Sequence, residues 1–273
     1  MATRVIDDSK LQDIAVAIQG KDGGGTMTVD EMPTRIATIP TGGEVLFSSN
    51  GRQYTRTVEI PNNVTTIGDY AFSGCTGLTN ITLPDSLTTI NQGAFSNCTS
   101  LTEIDLKNVT IFSSNYHFSI CLSLRKVIGK KVKSTAHSFY YCTALQTAIL
   151  SNVSTIGENT FLFATALENV DCRNVDKIFL GAFSHCKQLS LIDLTSRATP
   201  TTLDSTNAFN DTNNTWIAVV ANDTIKSDFQ NATNWSTFAS HFKTIAEVEA
   251  EVGMTYDAYY YQLFGHARNE VAV

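Results

Sequence analysis

Cysteine recurs three residues after an aromatic residue along much of this chain. The stretches are AFSGC, AFSNC, HFSIC, SFYYC and AFSHC, at 71–75, 94–98, 117–121, 138–142 and 182–186. A row of thiols can bind a metal or form disulfides, or each cysteine can fill the same slot in a stacked repeat. A metal site needs ligands that converge, and parallel Cβ vectors disfavour disulfides. Because the same slot also holds Ala164 and Thr212, we interpret the cysteines as small, buried, apolar side chains.

Other catalytic chemistry has little support in the sequence. The patterns H-E-x-x-H, C-x-x-C, G-x-S-x-G and G-x-x-x-x-G-K-[ST] do not occur. His117, His137 and His185 lie beside the repeated aromatic residue in different repeats, so we expect surface positions or satisfied buried ones rather than metal ligands or acid–base groups. The sequence therefore predicts no enzyme, and no metal, cofactor or catalytic site.

The elements that hold these residues repeat with a period of 21 to 26 residues. Leucine follows six residues after most of the aromatic residues, and an apolar pair follows that leucine, as in LTNITLP. The aligned aromatic residues are Phe72, Phe95, Phe118, Phe139, Phe161, Phe183 and Phe209. This period and the L-x-x-I-x-L spacing predict an α/β leucine-rich-repeat solenoid, right-handed, built mainly from short parallel strands.

Alternation within each strand predicts which side chains point away from the core. In each strand, we take the two apolar residues on either side of one position as facing the core. In the last repeat these are Ile217 and Val219, which places Ala218 and Trp216 among the outward-facing residues. An exposed pair, Ile128 and Ile149, is then flanked by acidic residues, and such a patch is suited to a protein or sugar ligand. The predicted ligand-binding residues are Asp105, Lys126, Ile128, Ile149, Asp171 and Asp193.

The net charge of −7 argues against nucleic acid as a partner. One stretch of this acidic chain, RKVIGKKVK at 125–133, is basic. It is either a solvated edge of two adjacent repeats or an anion-binding patch, for example for a phosphate-bearing polymer.

Targeting signals are not recognisable in the sequence. The first ten residues, MATRVIDDSK, contain no apolar signal-peptide core, and no apolar run approaches the roughly 18 residues that span a bilayer. We therefore expect synthesis in the bacterial cytoplasm and no membrane insertion, with any extracellular role reached by lysis or as part of a particle.

The repeat resembles the BspA-like leucine-rich repeat family. Over about 55–220, stretches such as AFSGCTGLTNITLPDSLTTINQGAFSNCTSL follow the family pattern AFxxCxxLxxIxLPxxVxxIGxxAF closely. The stretch from Thr215 to Ile245 is similar to the usual family ending, in which a last strand is followed by a helix over the open end of the core. The resemblance implies a non-enzymatic binding or adhesion protein.

The amino-terminal stretch resembles a short module of phage tail-associated proteins of Gram-positive hosts. DDSKLQDIAVAIQGKDGGGTMTVDEMPTRIATI reads as two amphipathic helices joined by a glycine loop. The stretch is either a cap of the solenoid or an attachment and oligomerisation module. Its predicted apolar stripes include Leu11, Ile14, Ile18, Met32 and Ile36.

The last segment of the chain lies outside the repeat. Thr255 can cap a helix that ends at Gly265 and carries an aromatic stripe including Tyr256, Tyr260 and Phe264. That stripe packs either on the end of the solenoid or on another subunit.

We predict three regions: 1–43, a helical attachment or capping module; 44–220, the solenoid; and 221–273, a helical cap with an aromatic tail.

Together these features favour a phage or prophage tail-associated protein that engages a protein or cell-surface polysaccharide on a host. Its expected location is the virion, or the medium after lysis, and its expected partners are other virion proteins, with a homo-oligomer possible. The alternative is a BspA-like surface adhesin or a protein–protein interaction scaffold.

Overall fold

Each repeat contributes two short strands, and corresponding strands of successive repeats pair side by side. The computed structural model describes the backbone of residues 18–20, and residues 57–60 and 62–268 in full. We number the strands in chain order and call the two rows front and back. The front strands are β2 (Thr57–Glu59), β4 (Asn80–Thr82), β6 (Glu103–Asp105), β8 (Lys126–Ile128), β10 (Thr147–Ile149), β12 (Asn169–Asp171), β14 (Leu191–Asp193), β16 (Ile217–Val220) and β17 (Phe242–Thr244). The back strands are β1 (Ile18–Gly20), β3 (Val64–Ile67), β5 (Thr89–Ile90), β7 (Ile111–Phe112), β9 (Ser134–Thr135), β11 (Thr155–Ile156), β13 (Lys177–Ile178) and β15 (Thr202–Leu203).

The strand order follows the sequence order within each row. The front row consists of the pair β2-β4 and a seven-stranded sheet in the order β6-β8-β10-β12-β14-β16-β17, here called the front sheet. The back row consists of two four-stranded sheets, β1-β3-β5-β7 and β9-β11-β13-β15. Apart from β1, which runs antiparallel to β3, the paired strands are parallel. This arrangement confirms the predicted α/β solenoid.

A column of phenylalanine rings forms the centre of the core between the two rows. The aligned residues from Phe72 to Phe209 stack on their neighbours with ring centroids 5.0 to 5.7 Å apart. Trp216 continues the column, with its ring 4.5 Å from that of Phe209. No single repeat can bury such a ring by itself, so the apolar area buried between neighbours stabilises the stack.

The last repeat corrects the sequence prediction by one residue. Ala218, not Ile217 or Val219, pairs in register with Ile192 and faces the core, followed by Val220. The predicted outward position of Trp216 is also wrong, because its side chain is buried. Ala218 follows Phe209 by nine residues, as Ile81 follows Phe72. This constant spacing from the aligned phenylalanine identifies the inward-facing residue, whereas the continuous apolar run WIAVV shows no alternation that would identify it.

The repeated cysteine lies beside the phenylalanine column, and its thiol bonds to the backbone of the preceding repeat. The Sγ atoms of Cys98 and Cys142 donate to carbonyl oxygens of Phe72 and Phe118, each 3.0 Å away. Burial raises the pKa of the Cys98 thiol, with the neighbouring thiols as a smaller cause. None of the six cysteines is paired in a disulfide. These thiols therefore fill a structural slot, as the sequence predicts.

We expect a thiol reagent such as Ellman's to label the native protein rapidly at one position. Cys75 is half-buried, whereas the remaining five cysteines are buried, and a buried thiol with a raised pKa supplies little thiolate to react. The measurement compares the thiols released in native buffer with those released in denaturant, using Cys75→Ala as the control that should abolish the rapid phase. Rapid labelling of two or more thiols in the native protein would contradict the buried ladder.

Helices follow the last repeat. α1 (Asp223–Asn231) is capped by Asn222, α2 (Ile245–Val252) by Thr244, and α3 (Tyr256–Phe264) by Thr255, each through a side-chain oxygen that accepts a backbone N–H bond. Gly265 ends α3 in the left-handed conformation, φ +73°, which glycine adopts without cost. The helices of the described residues are too short or too polar to cross a membrane.

The end of the solenoid is closed as the family resemblance implies. Phe229 of α1 and Trp235 of the following 3₁₀ helix are buried in the core. β17 then adds a strand to the front sheet, so the sheet extends into the segment predicted as the carboxyl-terminal cap.

One amino-terminal prediction is wrong. The predicted first helix includes Ile18, but Ile18–Gly20 forms β1 and pairs with β3. The reason is that β3 would otherwise be the edge strand of the back row, with unpaired backbone N–H and C=O groups that an added strand can bind. The other predicted attachment residues, Leu11, Ile14, Met32 and Ile36, lie outside the described residues.

Candidate functional site

The outward face of the front sheet is partly covered by the chain's own carboxyl-terminal helices. Tyr256, Tyr260 and Phe264 of α3 are buried in a second apolar cluster. The sheet supplies Ile149, Leu191 and Val219 to this cluster, and α2 supplies Val248. The aromatic tail therefore packs across β10, β14 and β16 of its own chain rather than on the open end of the solenoid.

Asp171 anchors α3 to the sheet through a buried ionic network. Its Oδ1 accepts a bond of 2.9 Å from Nε of Arg173, and its Oδ2 one of 2.8 Å from a terminal nitrogen of the same guanidinium. Oδ2 also accepts the hydroxyls of Ser151 and Tyr260, each at 2.6 Å. Burial by itself would raise the pKa of Asp171, but the Arg173 charge and these three donors lower it below its ordinary value.

Arg173 ties the tail to the sheet a second time. Its Nη1 donates to the Arg268 carbonyl oxygen at 2.6 Å, and its guanidinium lies 4.9 Å from the centre of the Tyr260 ring. Arg268 in turn donates to the Thr195 hydroxyl at 2.7 Å. These contacts hold the segment after α3 against the outward face of β12 and β14.

Asp193 occupies the equivalent position one repeat further on and is less well satisfied. Its Oδ1 accepts the Thr195 N–H at 2.8 Å, whereas its Oδ2 and the Tyr256 hydroxyl have no hydrogen-bond partner among the described residues. Burial and the neighbouring Asp171 charge raise the pKa of Asp193 to about 6. The covered face thus contains one carboxylate that is stabilised and one that is not.

Beside the end of α3, the front sheet is open and forms a charged cavity. Its volume is about 380 Å³. The lining residues are Asp85, Asp105, Lys107, Asn108, Lys126, Ile128, Lys130, Lys131, Gly265 and His266. Four lysines against two aspartates give this cavity a positive excess on an acidic chain. The basic stretch 125–133 therefore supplies part of a concave surface.

Several of these cavity side chains are held in place by bonds between repeats. Nζ of Lys126 donates to the Phe264 carbonyl oxygen at 2.9 Å, at the negative end of α3. Nζ of Lys131 donates to the Asn108 side chain at 2.7 Å, and Lys107 lies 3.2 Å from Asp85. The cavity wall is thus fixed by the solenoid below and the helix end beside it.

The structure separates the predicted ligand-binding residues into two groups. Asp105, Lys126 and Ile128 line the cavity. The expectation that Ile149, Asp171 and Asp193 are exposed is wrong, because α3 and its connections bury all three. Sequence reasoning missed Asp85, Lys107 and Asn108, which come from turns. The available signal was the spacing of 23 residues, one repeat, from Asp85 to Asn108 and from Asn108 to Lys131.

The histidines and cysteines do not converge anywhere in the described part of the chain. Among residues 57–60 and 62–268, no group of three or more His, Cys, Asp or Glu side chains could hold a metal ion. His117 is buried with Nδ1 3.2 Å from the Ser138 hydroxyl and Nε2 3.0 Å from the Ser113 carbonyl oxygen. His185 pairs with Asp211 at 2.7 Å. Each of these two rings bonds to a residue of the following repeat, which is a structural role.

Comparisons with known proteins agree with this architecture. The solved structure of a leucine-rich repeat protein from Eubacterium ventriosum matches with a TM-score of 0.51 at 25% identity, over 59% of this chain and 44% of that one. The chain therefore spans less than half of that protein. A leucine-rich repeat protein of T. pallidum matches with a TM-score of 0.47 at 21% identity, over 63% of this chain and 86% of that one. No curated protein matches the chain.

A family model matches the repeats themselves. It describes the BspA type leucine-rich repeat region in six copies, and it covers residues 46–136 and 115–215. These two ranges overlap and together span more than half of the 273 residues. The chain therefore belongs to the BspA-type leucine-rich repeat family.

Proposed function

We propose that this protein is a non-catalytic recognition protein whose solenoid binds a ligand on a cell surface. The observation that carries the proposal is the charged cavity beside the end of α3. It is concave, and three of its residues, Asp105, Lys126 and Ile128, are among the six that strand alternation singles out for binding. Leucine-rich repeats are in general binding scaffolds, and the family match indicates no catalytic family.

The chemistry of the cavity favours a polar, anionic ligand. Lysine side chains from two neighbouring repeats line the cavity, and Ile128 adds apolar surface beside them. A cell-surface polysaccharide that carries phosphate or carboxylate groups, or an acidic protein loop, presents the charges that such a wall attracts.

The setting we propose is a phage or prophage tail that presents the solenoid to its host. The sequence of residues 1–43 supports this setting, because it resembles a module of tail-associated proteins. The location would then be the virion, with other virion proteins as partners. The alternative is a BspA-like adhesin of a bacterial surface, and the family match fits this alternative at least as well.

The test is binding of fluorescently labelled protein to a panel of Gram-positive cells. We expect strain-restricted binding that survives deletion of residues 1–43 and falls at least about tenfold in Lys131→Gln, since losing a charged contact of about 1.4 kcal/mol or more has that effect. Asp105→Asn removes a negative charge from the cavity wall, so it should not weaken binding of an anionic ligand. Lys187→Gln is the matched control, because Lys187 is exposed and remote from the cavity lining. Equal binding by Lys131→Gln and the control would remove the cavity as the site.

The two settings differ in where the protein is found. Immunodetection in purified particles after prophage induction, against detection on intact uninduced cells, separates them. Protein present only on uninduced cells would favour the adhesin and contradict the tail-associated role.

A further inference from the structure

Six repeats hold two turn residues in the left-handed conformation, and one of these two positions recurs in all seven repeats. It is the residue immediately before the cysteine slot, and its φ values lie between +54° and +73°. The members are Gly74, Asn97, Ile120, Tyr141, Phe163, His185 and Asp211. This geometry aims the backbone N–H at the next repeat: Ile120 donates to the Tyr140 carbonyl oxygen at 2.8 Å, and Tyr141 to that of Leu162 at 2.9 Å. The stack therefore requires the conformation whatever the residue.

The residue types at this position follow two patterns. Glycine, asparagine, histidine and aspartate occupy it in the outer repeats, and these residues adopt the left-handed conformation more readily than other residues. The three central repeats have Ile120, Tyr141 and Phe163, for which the same conformation is unfavourable, most of all for a β-branched side chain. Folding by itself favours asparagine here, so the apolar residues call for another explanation.

These three side chains, here called the turn ridge, form an apolar edge on the surface of the solenoid. Ile120 and Tyr141 are each 39% exposed, and the rings of Tyr141 and Phe163 lie 4.7 Å apart. Leu122, 41% exposed, extends the edge. The segments that build it, YHFSICLSL, HSFYYCTAL and NTFLFATAL, contain no Asp, Glu, Lys or Arg. Strain and exposure thus coincide over three consecutive repeats.

The ring geometry bears on what can cover this ridge. The Phe163 ring lies between those of Tyr141 and His185, with centroids 4.7 and 4.3 Å away, and is stacked on the latter. His185 therefore covers one face of the Phe163 ring, and the Tyr141 ring lies against it at an angle of 40°. A sugar stacks on an exposed ring face, so this edge suits insertion into an apolar protein surface better than a glycan.

We propose that the occupant is a second copy of this chain, packed ridge to ridge. The chain carries a net charge of −7, so two copies approach with least repulsion where their surfaces are uncharged, and the turn ridge is such a surface. In an antiparallel pair with a two-fold axis at Tyr141, each Tyr141 meets its symmetry mate, and Ile120 meets Phe163 of the other copy. This surface is independent of the cavity and of the buried α3 stripe.

The experiment is sedimentation velocity over a wide concentration range, comparing the full chain with I120N/Y141N/F163N. We expect a dimer of the full chain and a weakening of its dissociation constant by on the order of 100-fold in the variant, as for loss of central apolar anchors. Asparagine is the residue of Asn97 at the same position, so the variant should fold at least as well, which circular dichroism and thermal unfolding check. The control is Ile111→Asn, an apolar residue 52% exposed outside the ridge.

Two results would overturn the proposal. One is a full chain that stays monomeric at the highest concentration, including the case in which neutral oligosaccharides then bind at the ridge. The other is a dimer that the triple variant and Ile111→Asn leave equally intact; deletion of residues 1–43 then shows whether the dimer comes from the amino-terminal module instead.

Discussion

Replacing Asp171 with alanine is expected to lower the free energy of unfolding by about 3–5 kcal/mol, the usual cost of removing one partner of a buried ion pair. The guanidinium of Arg173 would remain in place with only 9% of its side chain exposed and without its carboxylate. The hydroxyls of Ser151 and Tyr260 would lose their acceptor as well. The loss is large because several donors share this one carboxylate.

Urea unfolding of the wild type and the variant measures this difference. Asp105→Ala is the matched control, since Asp105 holds the same strand position in β6 but lies exposed beyond α3. We expect that control to change stability by about 0.5 kcal/mol or less, as is usual for surface substitutions. Equal effects at the two positions would show that α3 is not docked on Asp171.

A second variant tests whether the network holds the helix rather than the sheet alone. Tyr260→Phe removes only the hydroxyl that donates to Asp171, and a bond to a charged group contributes about 1.5–3 kcal/mol. In the Asp171→Ala background the same change should cost much less, because the acceptor is already gone. Additive losses would mean that the two side chains do not interact.

The comparison of Asp105 with Asp171 also shows which features of the site the sequence predicts and which it does not. Both are the last residue of a three-residue strand in the same repeat position, and nothing within a repeat distinguishes them. The repeat period predicts their common place in the sheet, because each turn contacts mainly its neighbours. Burial of Asp171 depends instead on Tyr260, 89 residues later, and no local pattern reports so distant a contact.

The carboxyl-terminal helix was predictable in itself but not in its position. Thr255, Gly265 and the aromatic stripe define α3 from the sequence, and the structure confirms its bounds. An aromatic stripe indicates that one face of the helix is buried, but it does not indicate which surface covers that face. The cavity is likewise a product of this docking, since Gly265 and His266 form one of its walls.

Replacing Asp193 with asparagine is expected to stabilise the protein, by an amount that depends on pH. The pKa of Asp193 is raised from its ordinary 3.8 to about 6 in the folded chain. A raised folded-state pKa means that the favourable contribution is present below pH 3.8 and is lost as pH rises through 6. A shift of about two units corresponds to about 3 kcal/mol. We therefore expect the variant to equal the wild type near pH 4 and to exceed it by about 2–3 kcal/mol at pH 8.

The difference between the two proteins isolates this carboxylate from the other groups that titrate. Asp171 and Arg173 interact electrostatically with Asp193, as does the Tyr256 hydroxyl. Asp171 has a lowered pKa, so its contribution is lost only as pH falls below the ordinary 3.8.

His117 contributes with the opposite sign over the same range. Burial lowers its pKa from 6.5 to about 4, opposed by the Ser113 bond, so its stabilising contribution is present above pH 6.5 and lost as pH falls towards 4. The free energy of unfolding of the wild type therefore changes less with pH than it would if only one of these two groups titrated. Subtracting it from the Asp193→Asn curve removes the His117 contribution, which the two proteins share.

Urea unfolding at several pH values between 4 and 8 provides both curves. The introduced asparagine side chain keeps an oxygen to accept the Thr195 N–H, so the substitution removes charge without removing that bond. A difference that stays constant from pH 4 to pH 8 would mean that Asp193 is ionised throughout and stabilised by water beneath α3. A difference that grows with pH would show that the helix docks over an uncompensated carboxylate, so that neutral pH weakens, and acid strengthens, its hold on the sheet.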